Sequence, residues 1–243
     1  MLNQIQEFNL KQHEQLIAET VDFVQSHHKA DFSGHDFEHI KRVWHNAKLI
    51  LASEPSADRE IVDFAVLLHD VDDYKLSDSG GKAEAWLQKL GLSTETIERI
   101  IKIIDSIGFS KTGYNPRFDD IETKIVYDAD KLDAIGAIGI ARAFAFGGAK
   151  SRPLFDPTHL PIDELDLVAY KINAKSGNNH SVNHFFEKLL RLSKLMQTKV
   201  GHELAKQRQA TMLQFLEAFF DEQGLSEWAQ RLEAFVGQVY LKN

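Results

Sequence analysis

His69, Asp70, Asp72, Asp73 and Lys75 follow directly on the apolar run Ala65-Val66-Leu67-Leu68, so a histidine, several carboxylates and an ammonium arrive within a few positions. Apolar residues at Ile61, Phe64, Ala65 and Leu68 recur at helical spacing, which predicts the end of an amphipathic helix with His69 one turn beyond Ala65 on its packed face. Metal-capable ligands then stand at the floor of a cavity. Joined by His39 and by an aspartate from the cluster Asp128, Asp130 and Asp133, they make two neutral imidazoles and two carboxylates drawn from three separate helices. Such a mixed nitrogen and oxygen set suits one borderline or hard divalent ion, Mn, Mg, Fe, Co, Ni or Zn. Residue types do not select among these, and manganese is the favoured expectation.

A divalent ion balanced by two carboxylates is close to neutral. It still accepts an anionic phosphate oxygen while lowering the pKa of a bound water toward neutrality, which is what hydrolysis of a phosphoester or phosphoanhydride requires. Asp70 and Asp73 are the candidate catalytic carboxylates, Asp73 as the group that accepts or relays the water's proton. Arg42, Lys75, Lys131 and Arg142 are candidates to neutralise phosphate charge and so bind substrate. Ordinary roles compete with these. Asp73 and Lys75 equally suit a solvated salt bridge, Arg142 in an apolar helix needs a partner of some kind, and His35-Asp36 reads mainly as a turn and helix start.

Helical neighbours point roughly 100° apart, so His69 and Asp70 share an ion only in the notch at a helix terminus. Asp128 shares the stripe of Ile121, Ile125 and Leu132, whereas Asp130 lies on another arc with Val126 and Ala134. Spacing leaves the choice between those two aspartates open.

The elements that must position these groups read as helices nearly throughout, which predicts an all-α fold. Expected helices run from Leu10 to Gln25, from about Phe37 to the Glu54-Pro55-Ser56 stop with Ile40, Val43, Trp44, Ala47 and Leu51 facing inward, and from about Asp58 to Asp70. Further helices are expected over Lys82 to Leu90, Thr94 to Ile107 with Ser93 as N-cap, and Asp120 to Lys131. Gly108 to Pro116 reads as a loop. The small-residue segment from Ile135 to Phe146 is expected to cross the middle of the bundle. Long connections at Gly147 to Pro161 and Ala174 to His180 are candidate lid segments. Helices over Ser181 to Lys199 and His202 to Phe220, and after Gly224 a last helix to about Tyr240, complete the chain, the last ones serving core or homodimer contact. A single domain over residues 1–243 is expected, its core at about 32–220 and a C-terminal helix at 225–240.

With 243 residues, 43% hydrophobic and 26% charged, the chain can bury a large core and falls outside the disordered class. No run approaches the roughly 20 apolar residues of a membrane span, and Met1 to Leu16 is too polar for a signal sequence. The expectation is a cytoplasmic protein with no membrane partner. The absence of cysteine excludes disulfides and thiolate metal sites. A formal net charge of −8 argues against a nucleic-acid polymer as partner and leaves room for a small phosphorylated ligand, such as a nucleotide, in a locally basic pocket.

The order His39-Ile40-Lys41-Arg42-Val43, Leu67-Leu68-His69-Asp70, then Asp128-Ala129-Asp130-Lys131-Leu132-Asp133 resembles the H…HD…D signature of the HD-domain metal-dependent phosphohydrolases. Together with His69 to Lys75 and the tail Gly139-Ile140-Ala141-Arg142-Ala143-Phe144 it is similar to a branch of bacterial single-domain members that includes nucleotide pyrophosphohydrolases, over roughly Phe32 to Phe220. The resemblance implies an all-α fold in which His39, His69, Asp70 and Asp130 ligate the metal, and so favours Asp130 over Asp128. The glycine-tyrosine-proline signature of the cyclic-dinucleotide branch is missing. Two-metal members use further histidines, for which only His35 or His180 is a nominal source. The resulting expectation is hydrolysis of nucleotides, foremost (deoxy)nucleoside triphosphates to monophosphate and pyrophosphate by metal-activated water. The alternatives are a nucleoside monophosphate phosphatase, a guanosine tetraphosphate-type hydrolase, a di-iron oxygenase, or a non-catalytic nucleotide-binding module.

Overall fold

The computed structural model describes residues 2–27, 36–72, 81–160, 168 and 180–241. In chain order its helices are α1 (Leu2–His27), α2 (Phe37–Leu51), α3 (Arg59–Leu68), α4 (Lys82–Lys89), α5 (Thr94–Ser106), the single turn α6 (Phe109–Thr112), α7 (Ile121–Asp133) and α8 (Gly136–Ala149). An irregular helical stretch from Phe185 to Leu195 precedes α9 (Lys199–Asp221) and α10 (Ser226–Leu241). The fold is all-α, with no strand among the described residues. Nor is any single helix among them long and apolar enough to cross a membrane.

Two compact units make up the chain, one of Met1–Asp31, His35–Gly108 and Phe118–Ala129, the other of Phe32–Gly34, Phe109–Arg117 and Asp130–Asn243. In the first, α3 is buried on every side from Ile61 to Leu68, as a helix apolar all round must be. Helices α1, α2 and α5 pack against it, and α4 packs on α5. Side-chain caps fix where these helices begin by satisfying first-turn N–H groups. Asp36 accepts from His39 N at 2.9 Å, Asp58 from Glu60 N at 3.1 Å, and Ser93 from Thr96 N at 3.1 Å.

Asp63 is the one polar residue within the buried run of α3. Its carboxylate, 1% exposed, accepts hydrogen bonds from Trp44 Nε1 at 2.6 Å, His13 Nε2 at 3.2 Å and Arg59 Nε at 3.3 Å. Burial alone would raise this carboxyl. Hydrogen bonds from His13 and Trp44, with the Arg59 charge, hold it below the usual carboxylate range instead. The same contacts tie α1 and α2 to α3.

In the second unit α8 packs on α9, and α9 on α10. Phe155, His180, Phe220 and Trp228 form an aromatic cluster, with Phe155 and Trp228 centroids 4.9 Å apart. Three local expectations change here. First, α8 is not enclosed: Gly136, Gly139 and Gly147 are buried, but Ile138 is 44% exposed, so its small residues serve close approach on one face only. Second, the expected loop after Gly108 contains the helical turn α6. Third, the expected continuous helix from Ser181 to Lys199 is a π turn (Phe185–Leu189), an α turn (Leu190–Leu192) and a 3-10 turn (Ser193–Leu195). Phe185, Phe186, Leu189 and Leu190 all face inward along this irregular path. Thr198 then starts α9 afresh by accepting from Gly201 N at 3.0 Å.

Candidate metal centre

His39 lies in the first turn of α2, 1% exposed, placed there by the Asp36 cap on its own backbone N–H. His69 is the C-cap of α3, and Asp70 follows it in the turn. The helix therefore stops where the ligands begin, and successive side chains at its terminus are free to converge. His39 Nε2 stands 3.3 Å from His69 Nε2 and 3.4 Å from Asp70 Oδ2, and His69 Nε2 stands 3.5 Å from Asp70 Oδ1. One ligand atom from each residue lies within 4.8 Å of the others.

These separations fit a shared cation. Donors about 2.1 Å from one ion stand about 3.0 Å apart at a right angle and about 3.4 Å apart at a tetrahedral angle. Protonation fits as well. His69 Nδ1 lies 2.7 Å from the Val66 carbonyl, which only accepts, so the proton is on Nδ1 and a neutral ring has its lone pair on Nε2, toward His39 and Asp70.

Asp130 belongs to the second unit, where its carboxylate pairs with the Lys131 ammonium, itself buried. Asp128, one turn-fraction earlier on α7, is fully buried in the first unit. Arg42 is half-buried on α2, one residue short of a turn beyond His39. Arg142 pairs with Asp133 at 2.6 Å, which meets the need for a partner that its apolar helix predicts. Asp73, Lys75 and His35 lie outside the described residues.

His180 has both ring nitrogens engaged: Nδ1 accepts from Asn183 N at 3.0 Å and Nε2 donates to the His159 carbonyl at 3.1 Å. It is a structural residue of the aromatic cluster rather than a source of a second metal ligand. Asp72, one of the carboxylates that follow His69, caps α4 by accepting from Lys82 N at 2.9 Å and Ala83 N at 3.0 Å. Sequence offers one signal for this: Gly81 stands at the N-cap of α4 and has no side chain to supply, so the cap must come from elsewhere. Asp63, buried and threefold hydrogen-bonded, gives no such signal.

Comparison with known proteins places these residues in a family context. The HD domain family matches residues 36–135, a span that includes His39, His69, Asp70 and Asp130. The protein YpgQ of Bacillus subtilis is 40% identical over 212 residues, covering 85% of this chain and 91% of YpgQ. The crystal structure of YpgQ in complex with ADP superposes with a TM-score of 0.65 at 35% identity, over 85% of this chain and 97% of that one. An HD-superfamily hydrolase from Bacillus thuringiensis superposes with a TM-score of 0.68 at 37% identity, over 87% of this chain and 98% of that one. A protein from Lactobacillus plantarum superposes with a TM-score of 0.75 at 32% identity, over 87% of this chain and 98% of that one.

Proposed function

The chain belongs to the HD-domain superfamily of metal-dependent phosphohydrolases, and on that premise we propose that it hydrolyses (deoxy)nucleoside triphosphates to monophosphate and pyrophosphate. The observation that carries the reading is the convergence of His39 Nε2, His69 Nε2 and the Asp70 carboxylate within 4.8 Å. The complex of YpgQ with ADP supports a nucleotide as the ligand.

His39, His69 and Asp70 would hold a divalent ion, which when bound would supply Lewis acidity toward a phosphoryl oxygen and favour ionisation of a water near neutral pH. His39 and His69 contribute neutral nitrogens, and Val66 keeps the His69 ring turned the right way. Asp70 contributes negative charge next to both rings. Asp130 is proposed as a further ligand on the strength of the family resemblance, and Mn²⁺ as the ion. Asp73 receives the proton of the attacking water as the new oxygen to α-phosphorus bond forms. The bridging bond between α-phosphorus and the β-phosphate oxygen breaks, and pyrophosphate leaves. Arg42, Lys75 and Lys131 offset the charge of the phosphate chain.

Incubation of the protein with Mn²⁺ and a nucleotide panel in ¹⁸O-labelled water, with separation of products, tests this. Labelled monophosphate and unlabelled pyrophosphate are expected. Release of orthophosphate from monophosphates, or label in the pyrophosphate, overturns the assigned point of attack. No turnover of any nucleotide with any divalent ion overturns the proposal.

A further inference from the structure

The phrase from Asp130 to Arg142 folds into one device within the second unit. Helix α7 ends at Asp133, and α8 leaves at 65° to it. Two glycines make that corner possible. Gly136 has φ +76°, and a Cβ there would lie 2.9 Å from Arg208 Cβ; at Gly139 a Cβ would lie 2.3 Å from the Ala134 carbonyl oxygen. With no side chains in the way, the chain turns tightly enough for Arg142 to reach Asp133.

The last carbonyls of a helix have no partner within it, and its C-terminus carries partial negative charge. Two guanidinium groups meet both needs at the end of α7. Arg208, from α9, donates Nη1 to the Leu132 carbonyl at 2.6 Å. Arg142, from α8, donates Nη1 to Asp133 Oδ2 at 2.6 Å, with the Asp133 carbonyl 3.5 Å away. Asp133 is only 2% exposed, and its charge also acts on Arg208, opposing the effect of burial on that guanidinium. The end of α7 is thus tied to both α8 and α9.

Asp130 is in the same final turn. Helix ends fray, whereas a ligand must be held within about 0.5 Å of its productive position. Building on the hydrolase reading above, in which Asp130 is a ligand, we propose that Arg142 and Arg208 are positioning residues that lock the last turn of α7 and with it the placing of the Asp130 carboxylate. Arg142 then acts through Asp133 and does not contact phosphate.

The test uses the full chain with Arg142→Met, Arg142→Lys, Arg208→Met and Asp133→Asn. Each is read by Mn²⁺ titration of the metal-free protein and by separate kcat and KM for a nucleoside triphosphate. Expected for Arg142→Met and Arg208→Met is an about 10- to 100-fold loss in Mn²⁺ affinity and kcat, with KM close to wild type. Asp133→Asn reproduces the Arg142→Met result, and Arg142→Lys recovers part of it. A raised KM in Arg142→Met with unchanged Mn²⁺ affinity, and a silent Asp133→Asn, would assign Arg142 to the phosphate and overturn the inference. Unchanged Mn²⁺ affinity in Arg208→Met overturns the role of Arg208. Circular dichroism identifies any variant that fails to fold, in which case the volume-conserving Asp133→Asn and Arg142→Lys decide. Wild-type protein that binds no Mn²⁺ defeats the underlying hydrolase reading, whereas intact wild-type binding with silent variants defeats this inference alone.

Discussion

His69 donates its Nδ1 proton to the carbonyl of Val66, three residues back on α3, and thereby aims Nε2 at His39. One backbone carbonyl at a helix end thus does for the ring what a second-shell partner does in metal sites generally. Removing a ligand should cost more than the roughly 10- to 100-fold typical of outer-shell changes. His69→Ala, His39→Ala and Asp70→Ala are each expected to abolish hydrolysis and Mn²⁺ binding. In thermal unfolding, Mn²⁺ at a hundredfold excess over its Kd should stabilise wild type by about 2.7 kcal/mol and leave the three variants unmoved; chelation should reverse the wild-type gain.

Asp72 is expected to separate cleanly from its neighbour Asp70. Asp72→Ala removes the acceptor for two first-turn N–H groups of α4 and should cost about 0.5–2 kcal/mol of stability. Mn²⁺ affinity, measured by titration, should stay at the wild-type value. A large loss of metal binding would instead make Asp72 part of the site.

Asp63 governs the acid side of the first unit. Its carboxyl lies below its unfolded value, so the stability it contributes is present above the unfolded carboxylate range, near pH 3.9, and is lost as pH falls through the lower folded value. Asp63→Asn leaves Arg59 in solvent but unsettles the buried bonds to Trp44 and His13, and should lower stability by about 1–3 kcal/mol at neutral pH and flatten the acid limb of the unfolding curve. Trp44→Phe, which removes one donor, should cost about 1–3 kcal/mol.

His184 sets a second pH dependence, of the same direction and in a higher window. Desolvation, with the Lys188 and Arg152 charges close by, pushes its imidazole from 6.5 down to about 3. The unfolded chain therefore binds a proton that the folded chain refuses. Stability should fall as pH drops below 6.5 and continue to fall toward pH 3. Chemical denaturation across this range should lose that slope in His184→Gln.

Much of this arrangement is legible in the order of residues. Asp36 and Ser93 announce their helices because an N-cap is a local hydrogen bond, and Ile61 to Leu68 announces its burial because nearly every side chain in it is apolar. The pairing of His39 with His69 follows from two helix termini and a resemblance that orders them. What stays hidden depends on long-range contacts. Asp63 looks like a surface interruption until Trp44 and His13, 19 and 50 residues away in sequence, are brought against it. The break after Leu195 is hidden because Phe185, Phe186, Leu189, Leu190 and Leu192 all share one face at an ordinary helical period. The small residues of α8 read as a buried crossing, but their glycines mark a corner.

The hydrogen bonds from Lys82 N and Ala83 N to Asp72 have a consequence for how such a protein could diversify. Both donors are backbone N–H groups, so at position 82 any residue except proline keeps its half of the latch. The side chain presented at the start of α4 is therefore free to change while the join between Asp72 and that helix holds.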